Sequence, residues 1–384
     1  MVPNLRFSSF TNSYCVYTLG EILQRVSNPV NIDENKLYYQ IGIRSHSKGI
    51  FYKKAETGKQ IGNKKIFWVE SNCLILNIVF AWEQAVAKTS QKEIGMVVSH
   101  RFPMYKVLNN SLDYIVDFFK TEKGRQVLQM ASPGGAGRNK TLNQKFFLNS
   151  KVYLPSLKEQ LIISRFIALI ENRIETQIKI IEDLVLQKKY IISSLLTPFQ
   201  DKKKILLKDI LFDYNVKTTS NNEYPVLSST ASGIYLQSEY FNNKEASSDN
   251  TAGYKIIPRG YCTYRSMSDT GLFTFNIQNL VERGIVSPAY PVFSSNEYIN
   301  EFIILYLNNS TDIKKQILEL KSGGTRFALS FSTLCTLKIP KLEKEKQLSL
   351  VKTVTAFERK IENEEIILNK LHQQKKYLLN NMFI

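Results

Sequence analysis

The chain has 384 residues, 43% of them hydrophobic, with 51 Lys and Arg against 34 Asp and Glu, a net charge of +17 and a pI of about 9.5. That length accommodates two or more domains with cores of their own, the hydrophobic fraction excludes a disordered chain, and the charge favours a polyanionic partner. The cysteines Cys15, Cys73, Cys262 and Cys335 form no CxxC pair and the histidines His46, His100 and His372 lie far from them in sequence, so neither a zinc site nor a disulfide framework is expected.

The chain opens without a basic segment leading into an apolar run, so no signal peptide is expected and a reducing cytoplasm fits. Leu19-Gly20-Glu21-Ile22-Leu23 reads as a short helix at a domain entrance. Tyr39-Gln40-Ile41-Gly42 running to Lys48-Gly49-Ile50-Phe51 reads as a strand, a polar loop and a glycine turn into a second strand. The apolar run 73–82 is broken by Asn77 and is too short to cross a bilayer. Gly95-Met96-Val97-Val98 leads on to Pro103, and apolar spacing at Leu112, Ile115, Val116 and Phe119 predicts a helix over 112–130. A glycine loop, Gly134-Gly135-Ala136-Gly137-Arg138, precedes a short strand ending at Leu154-Pro155.

A long helix follows over 155–196. Its seam is Ile163, Ile167, Ile170, Ile174, Gln177, Ile181, Leu184, Lys188, Ile191 and Leu195, an a/d heptad pattern with two polar breaks. Ser156 and Glu159 have capping-box spacing, Thr197-Pro198 ends the helix, and 200–204 reads as a charged linker. The breaks at Lys188 and Lys375 read as snorkelling side chains, and those at Gln177 and Glu364 as register-fixing polar groups.

The second half repeats this order. Leu207-Lys208-Asp209-Ile210-Leu211 matches the first short helix, and Tyr224-Pro225-Val226-Leu227 running to Ser232-Gly233-Ile234-Tyr235 matches the strand pair. Cys262 sits in a β-rich run comparable with that of Cys73, Gly284-Ile285-Val286 leads to Pro291, and a helix is expected over 297–320 before Gly323-Gly324-Thr325-Arg326 and Ile339-Pro340. The second long seam is Leu350, Val354, Phe357, Ile361, Glu364, Leu368, Leu371, Lys375, Leu378 and Met382, each 187 positions after its counterpart (377 − 190 for the Tyr of the shared Gln-Lys-Lys-Tyr). The long segments are near neutral, and their removal leaves +13 of the charge (17 − 1 − 3) on the rest. The expected architecture is α+β: domain, helix, domain, helix, with the helices paired antiparallel as a coiled coil spanning roughly 55 to 60 Å.

Chemistry is sought in the loops. The stretch Gly134 to Thr141 lacks the contiguous Gly-Lys-Ser/Thr of a phosphate-binding loop and follows a helix rather than a strand, so no nucleotide is expected. Arg138 and Lys140 there, with Thr325 and Arg326 in the second copy, are candidate DNA contacts, the alternative being a helix C-terminal glycine cap. Arg44, His46, Lys48, Lys53 and Lys54 in the first half, and Ser228, Ser229, Thr230 and Ser232 in the second, have the composition to hold phosphates or read base edges; Arg265, opposite Asn77 in the repeat, joins them. There is no Asn/Asp-Pro-Pro-Tyr/Phe quartet, no cofactor glycine loop and no helicase Gly-Lys-Thr, so no catalytic residue, cofactor or metal is expected.

This order of parts resembles the specificity subunit of type I restriction-modification systems. The resemblance covers the whole chain and rests on Pro155, Glu159 and Gln160 with Pro340, Lys346 and Gln347 at the helix starts, on the Gln-Lys-Lys-Tyr helix ends, and on Gly-Gly-Thr-Arg of the second half; the first half departs with Gly-Gly-Ala-Gly-Arg. It implies target recognition domains at 1–154 and 201–339, joined by conserved spacer helices at 155–200 and 340–384. It implies a non-catalytic subunit that recognises a bipartite asymmetric target in double-stranded DNA and docks methyltransferase subunits, two of them, and restriction or translocase subunits, with no membrane partner. The alternative is a non-catalytic coiled-coil scaffold without sequence-specific DNA binding.

Overall fold

The computed structural model of the chain describes residues 2–135, 140–199, 202–240, 250–320 and 327–384. They form two units, Met1–Lys179 with Ile366–Ile384, and Ile180–Glu365. Each contains a mixed α/β domain and one half of each long helix.

In the first unit, strand Cys15–Thr18 pairs antiparallel with Lys151–Leu154, which leads into the first long helix. Helix Leu19–Ile22 follows where it was expected, its start closed by Thr18 and Glu21. A four-stranded antiparallel sheet has the order Leu23–Val26, Met104–Val107, Leu74–Leu76, Val86–Lys88. Side chains alternate across a strand, so Leu74 and Leu76 join the main core under the helices, while Ile75 joins Ile41, Ile43 and Cys73 on the opposite face. The single helix expected over 112–130 is two, Leu112–Lys120 and Glu122–Met130. The break is Thr121, whose hydroxyl accepts the Gly124 N–H and caps a new start.

The second unit repeats the plan. Its sheet runs Leu211–Asp213, Val292–Ser295, Cys262–Tyr264, Phe275–Ile277. Strands beginning at Leu23, Leu74 and Met104 thus recur 188 positions later (211 − 23, 262 − 74, 292 − 104). Even isolated bridges recur: Pro29 with Phe67 and Lys217 with Lys255 antiparallel, Gln40 with Val97 and Val226 with Ile285 parallel. The helical segment is again two helices, Asn300–Asn309 and Thr311–Glu319, broken where Ser310 caps the second. Of the expected linker, Gln200 and Asp201 lie outside the described residues, and Lys204 already begins the strand Lys204–Leu206, paired with Lys338–Pro340.

The long helices span Leu157–Leu196 and Lys344–Met382. In the first unit Ile163, Ile167, Ile170 and Ile174 share a core with Leu371, Leu378 and Met382; in the second, Ile192 and Leu196 share one with Leu350 and Val354. Early residues of one helix meet late residues of the other, so the pairing is antiparallel. The heptad seam holds as far as Leu184, after which Ile192 and Leu196 are buried while Ile191 and Leu195 are only half-buried. A helix of about 3.6 residues per turn drifts against a 3.5-residue repeat.

Two expectations about these helices change. Glu159 does not complete a capping box: Ser156 Oγ accepts the Glu159 N–H at 3.3 Å, but the buried Glu159 carboxylate accepts two hydrogen bonds of 2.8 Å from Arg6 and one of 3.3 Å from Tyr14. Lys188 and Lys375 do not snorkel into solvent. Lys188 binds Glu358 at 2.7 Å in the second unit and Lys375 binds Glu171 at 2.6 Å in the first, one ion pair occurring twice at an offset of 187 (375 − 188, 358 − 171).

Candidate nucleic-acid interface

The strand pair foreseen in each half is a hairpin. In the first unit Ile41–Ile43 pairs with Ile50–Tyr52 around a tip of residues 44–49. Gly42 is required there, because a Cβ would lie 2.4 Å from the Phe51 ring. That ring in turn carries the Arg44 guanidinium, 5.5 Å from its centroid. His46 and Ser47 both adopt left-handed backbone (φ 58° and 55°), uncommon for side-chain-bearing residues. Tertiary bonds hold them in it, His46 N–H to the Glu83 carbonyl at 2.6 Å and Ser47 N–H to that of Gln84 at 3.0 Å. The far strand is pinned by Tyr52, whose hydroxyl donates to the buried Glu93 at 2.6 Å. Burial works to raise the Glu93 carboxyl, but the bonds from Tyr52 and Ser90 outweigh it and hold the group below its ordinary value.

This rigid tip brings Arg44, His46, Lys48 and Lys53 together along a hollow of about 430 Å³ completed by Asn77, Phe80 and Phe102. Lys54 is exposed outside it, and Lys140 lies 5.1 Å above the Trp82 ring. Arg138 falls outside the described residues. A neighbouring hollow of about 490 Å³ is lined by Asp113, Asp117 and Glu171 with Lys48, Lys88 and Lys120, and its carboxylates are paired within it, Asp113 with Lys88 and both Asp117 and Glu171 with Lys120.

In the second unit Leu227–Thr230 pairs with Gly233–Leu236 around a shorter tip, residues 231–232. Ser228, Ser229, Thr230 and Arg265 line a hollow of about 470 Å³ with Met267, Ser268, Asp269, Thr270 and Tyr290 among others. Not all the hydroxyls are available. Ser229 Oγ accepts from Asn276 Nδ2 at 2.8 Å, and Thr230 Oγ1 accepts the Ser232 N–H at 3.1 Å and donates to the Gly233 carbonyl at 3.0 Å, which closes the turn. Ser232 lies exposed beside the hollow; Thr325 and Arg326 fall outside the described residues.

The two hollows occupy the same place in the repeat. Each lies between the hairpin, the residue following the central strand (Asn77, Arg265) and an aromatic before the next strand (Phe102, Tyr290), at an offset of 188 in both cases (265 − 77, 290 − 102). Their linings differ, multiply cationic and aromatic in the first, hydroxyl-rich with one guanidinium in the second. Composition alone did not point to Phe51, Phe80 and Phe102, or to the 267–274 segment. The repeat offset was the signal that could have found them, since the loop after Asn77 predicts a lining loop after Arg265. Among the described residues no cluster of His, Cys, Asp and Glu could hold a metal ion, and no helix is long and apolar enough to cross a membrane.

No protein-family model matches the chain. Solved structures do. The HsdS subunit from Thermoanaerobacter tengcongensis is similar over 97% of this chain and 96% of its own, with a TM-score of 0.55 and 14% identity. A chain from a structure addressing complex assembly and conformational transition of the type I R-M system matches over 97% and 98%, with a TM-score of 0.62 and 14% identity. The S subunit of the type I restriction-modification system from M. genitalium matches over 100% and 99%, with a TM-score of 0.53 and 14% identity. The chain has the fold of a type I restriction-modification S subunit, its two α/β domains joined to a pair of antiparallel helices.

Proposed function

We propose that the chain is the DNA sequence-specificity subunit of a type I restriction-modification complex, without chemistry of its own. The observation that carries this reading is the pair of hollows at one place in two repeats with different linings. Two equivalent sites suit a bipartite target, and unequal linings suit unequal half-sites. The likeness of fold over nearly the whole chain to S subunits supports the same reading. The recognition domains are 1–154 and 201–339, and the helices within 155–200 and 340–384 form the frame that sets the spacing of the half-sites. Methylation and cleavage come from partners, a methyltransferase subunit in two copies and a restriction subunit, in the cytoplasm. Repeated exposed side chains on the helices, Leu161 with Leu348, Ile180 with Ile367, and Tyr190 (76% exposed) with Tyr377 (59%), support two docking sites for one kind of partner.

Deleting the gene and mapping the methylated sites of the host genome tests this directly. Loss of one bipartite, asymmetric motif is expected; an unchanged methylation map, or affinity capture that recovers other proteins and no methyltransferase, favours a protein scaffold. In vitro, affinity of the complex for its target falls steeply with salt, and replacing Lys48 and Lys53 by Gln lowers the log–log salt slope by about one for each phosphate that is no longer neutralised.

A further inference from the structure

We propose that Arg265 reads a guanine in the half-site bound by the second unit, an assignment that rests on the chain being a specificity subunit. Arg265 follows directly on the central strand Cys262–Tyr264, all three residues of which are buried, so its backbone is fixed by the sheet core. Its side chain is exposed and lines the hollow beside the hairpin. Among the described residues no hydrogen bond or ion pair holds its guanidinium. Among the described residues it is a donor fork with a fixed base and no partner.

The rest of the lining decides between a phosphate and a base. Arg265 is the one cation among the described residues around this hollow, and Ser228, Ser268 and Thr270 beside it offer hydroxyls. Gripping a phosphate backbone draws on several cations, which the first hollow has and this one, among its described residues, does not. The edge of a G·C pair in the major groove offers the complementary set: guanine O6 and N7 accept from a guanidinium, and cytosine N4 donates to a hydroxyl. In the first unit the same position is Asn77, which is buried with its side-chain oxygen accepting the Val79 N–H at 3.2 Å. At this position of the repeat the guanidinium is therefore confined to the second unit.

The test co-expresses the full chain with its methyltransferase subunit and maps methylated motifs genome-wide for wild type, Arg265→Ala and Arg265→Lys. One guanine position in one half-site loses preference by about tenfold or more in Arg265→Ala, while the other half-site and the spacer keep their sequence and length. Arg265→Lys retains the charge without the planar fork, so it keeps the extent of methylation and relaxes the same position. If Arg265→Ala abolishes methylation through misfolding, the lysine variant decides. An unaltered motif in Arg265→Lys, or uniformly weaker methylation at an unaltered motif in Arg265→Ala, overturns the assignment, the second result marking a phosphate contact. A wild-type chain that directs no bipartite methylation sinks the specificity reading itself, before any variant is compared.

Discussion

Gln160 and Gln347 are buried glutamines, each 1% exposed, that tie a long helix to its domain in the same way in both units. Gln160 Oε1 accepts the Ser111 N–H at 2.9 Å, where helix Leu112–Lys120 begins, and its Nε2 donates to the Pro155 carbonyl at 2.9 Å. Gln347 Oε1 accepts the Ile299 N–H at 2.9 Å, at the start of helix Asn300–Asn309, and its Nε2 donates to the Leu342 carbonyl at 2.9 Å. An amide is the one uncharged side chain of this length that both accepts and donates. Replacement by Leu preserves volume but leaves a buried helix-start N–H and a buried carbonyl without partners, at a cost of about 1–3 kcal/mol per orphaned group. Gln160→Leu and Gln347→Leu should each lower the urea midpoint followed by circular dichroism, with a loss of about 2 kcal/mol or more. Glu at the same positions should give no rescue at neutral pH, since it must either bury a charge against that carbonyl or take up a proton. An unshifted midpoint for either Leu variant would show that water replaces these bonds. Both glutamines stood out in the sequence as parts of a helix start, but their task did not. It depends on partners 49 and 48 residues upstream, a distance that no local pattern carries.

Among the elements, what was legible is what is periodic. The long helices, the first hairpin and the repeat follow from spacing of apolar side chains and from glycine turns and stand where that spacing put them, whereas in the second hairpin the stretch 228–230, read as loop, is part of the strand Leu227–Thr230. The breaks at Thr121 and Ser310 were not read because an apolar pattern runs through them, and only the cap geometry shows that the chain turns. The site was half legible. The cations of the first hairpin and the hydroxyls of the second were named from composition, whereas Phe80 and Phe102 stand in turns far off in sequence and need the fold to bring them in. Nor did composition distinguish the two copies of the seam ion pair. Lys188 and Glu358 stand alone, Glu358 with half its side chain exposed. Glu171 binds both Lys375 and Lys120, and Lys120 also binds the buried Asp117 at 2.8 Å. Burial works to raise the Glu171 carboxyl, but the two ammonium groups outweigh it and leave it below its ordinary value near 4.5. A carboxyl depressed on folding adds stability above its unfolded pKa, and this is lost as pH falls through the folded value. Glu171→Gln should therefore destabilise by about 1.5–3 kcal/mol at neutral pH, and its deficit against wild type should shrink as pH is lowered below about 4.5. Glu358→Gln should cost less than about 1 kcal/mol, as exposed pairs do. Urea unfolding of both variants at pH 7 and pH 3.5 measures this; equal costs for the two would remove the distinction.

At the scale of the whole molecule, one chain carries two equivalent hollows and two continuous helices that each contribute to both units. On the proposed function, neither hollow has a way to count the base pairs that lie between half-sites. If the helix pair sets that count, its length must enter the recognised sequence directly. Glu175 and Glu362 are exposed, lie at equivalent points of the repeat (362 − 175 = 187) and stand off the seam, so a heptad inserted after each leaves the a/d pattern in phase. Seven residues add about 10 Å of helix at about 1.5 Å each, close to three base pairs at about 3.4 Å per step. Three base pairs also turn the duplex by roughly a third of its 10-base-pair repeat, so the lengthened chain meets its second half-site on a rotated groove. The expected outcome of selecting target sequences with the doubly inserted chain in its methyltransferase complex is a spacer longer by two or three base pairs, lower affinity, and both half-site sequences unchanged. Insertion in one helix alone breaks the pairing of Lys188 with Glu358 or Lys375 with Glu171 and should abolish binding rather than shift the spacer. A spacer that keeps its length through the double insertion would mean that the DNA or the partner subunits, and not these helices, fix the distance between the half-sites.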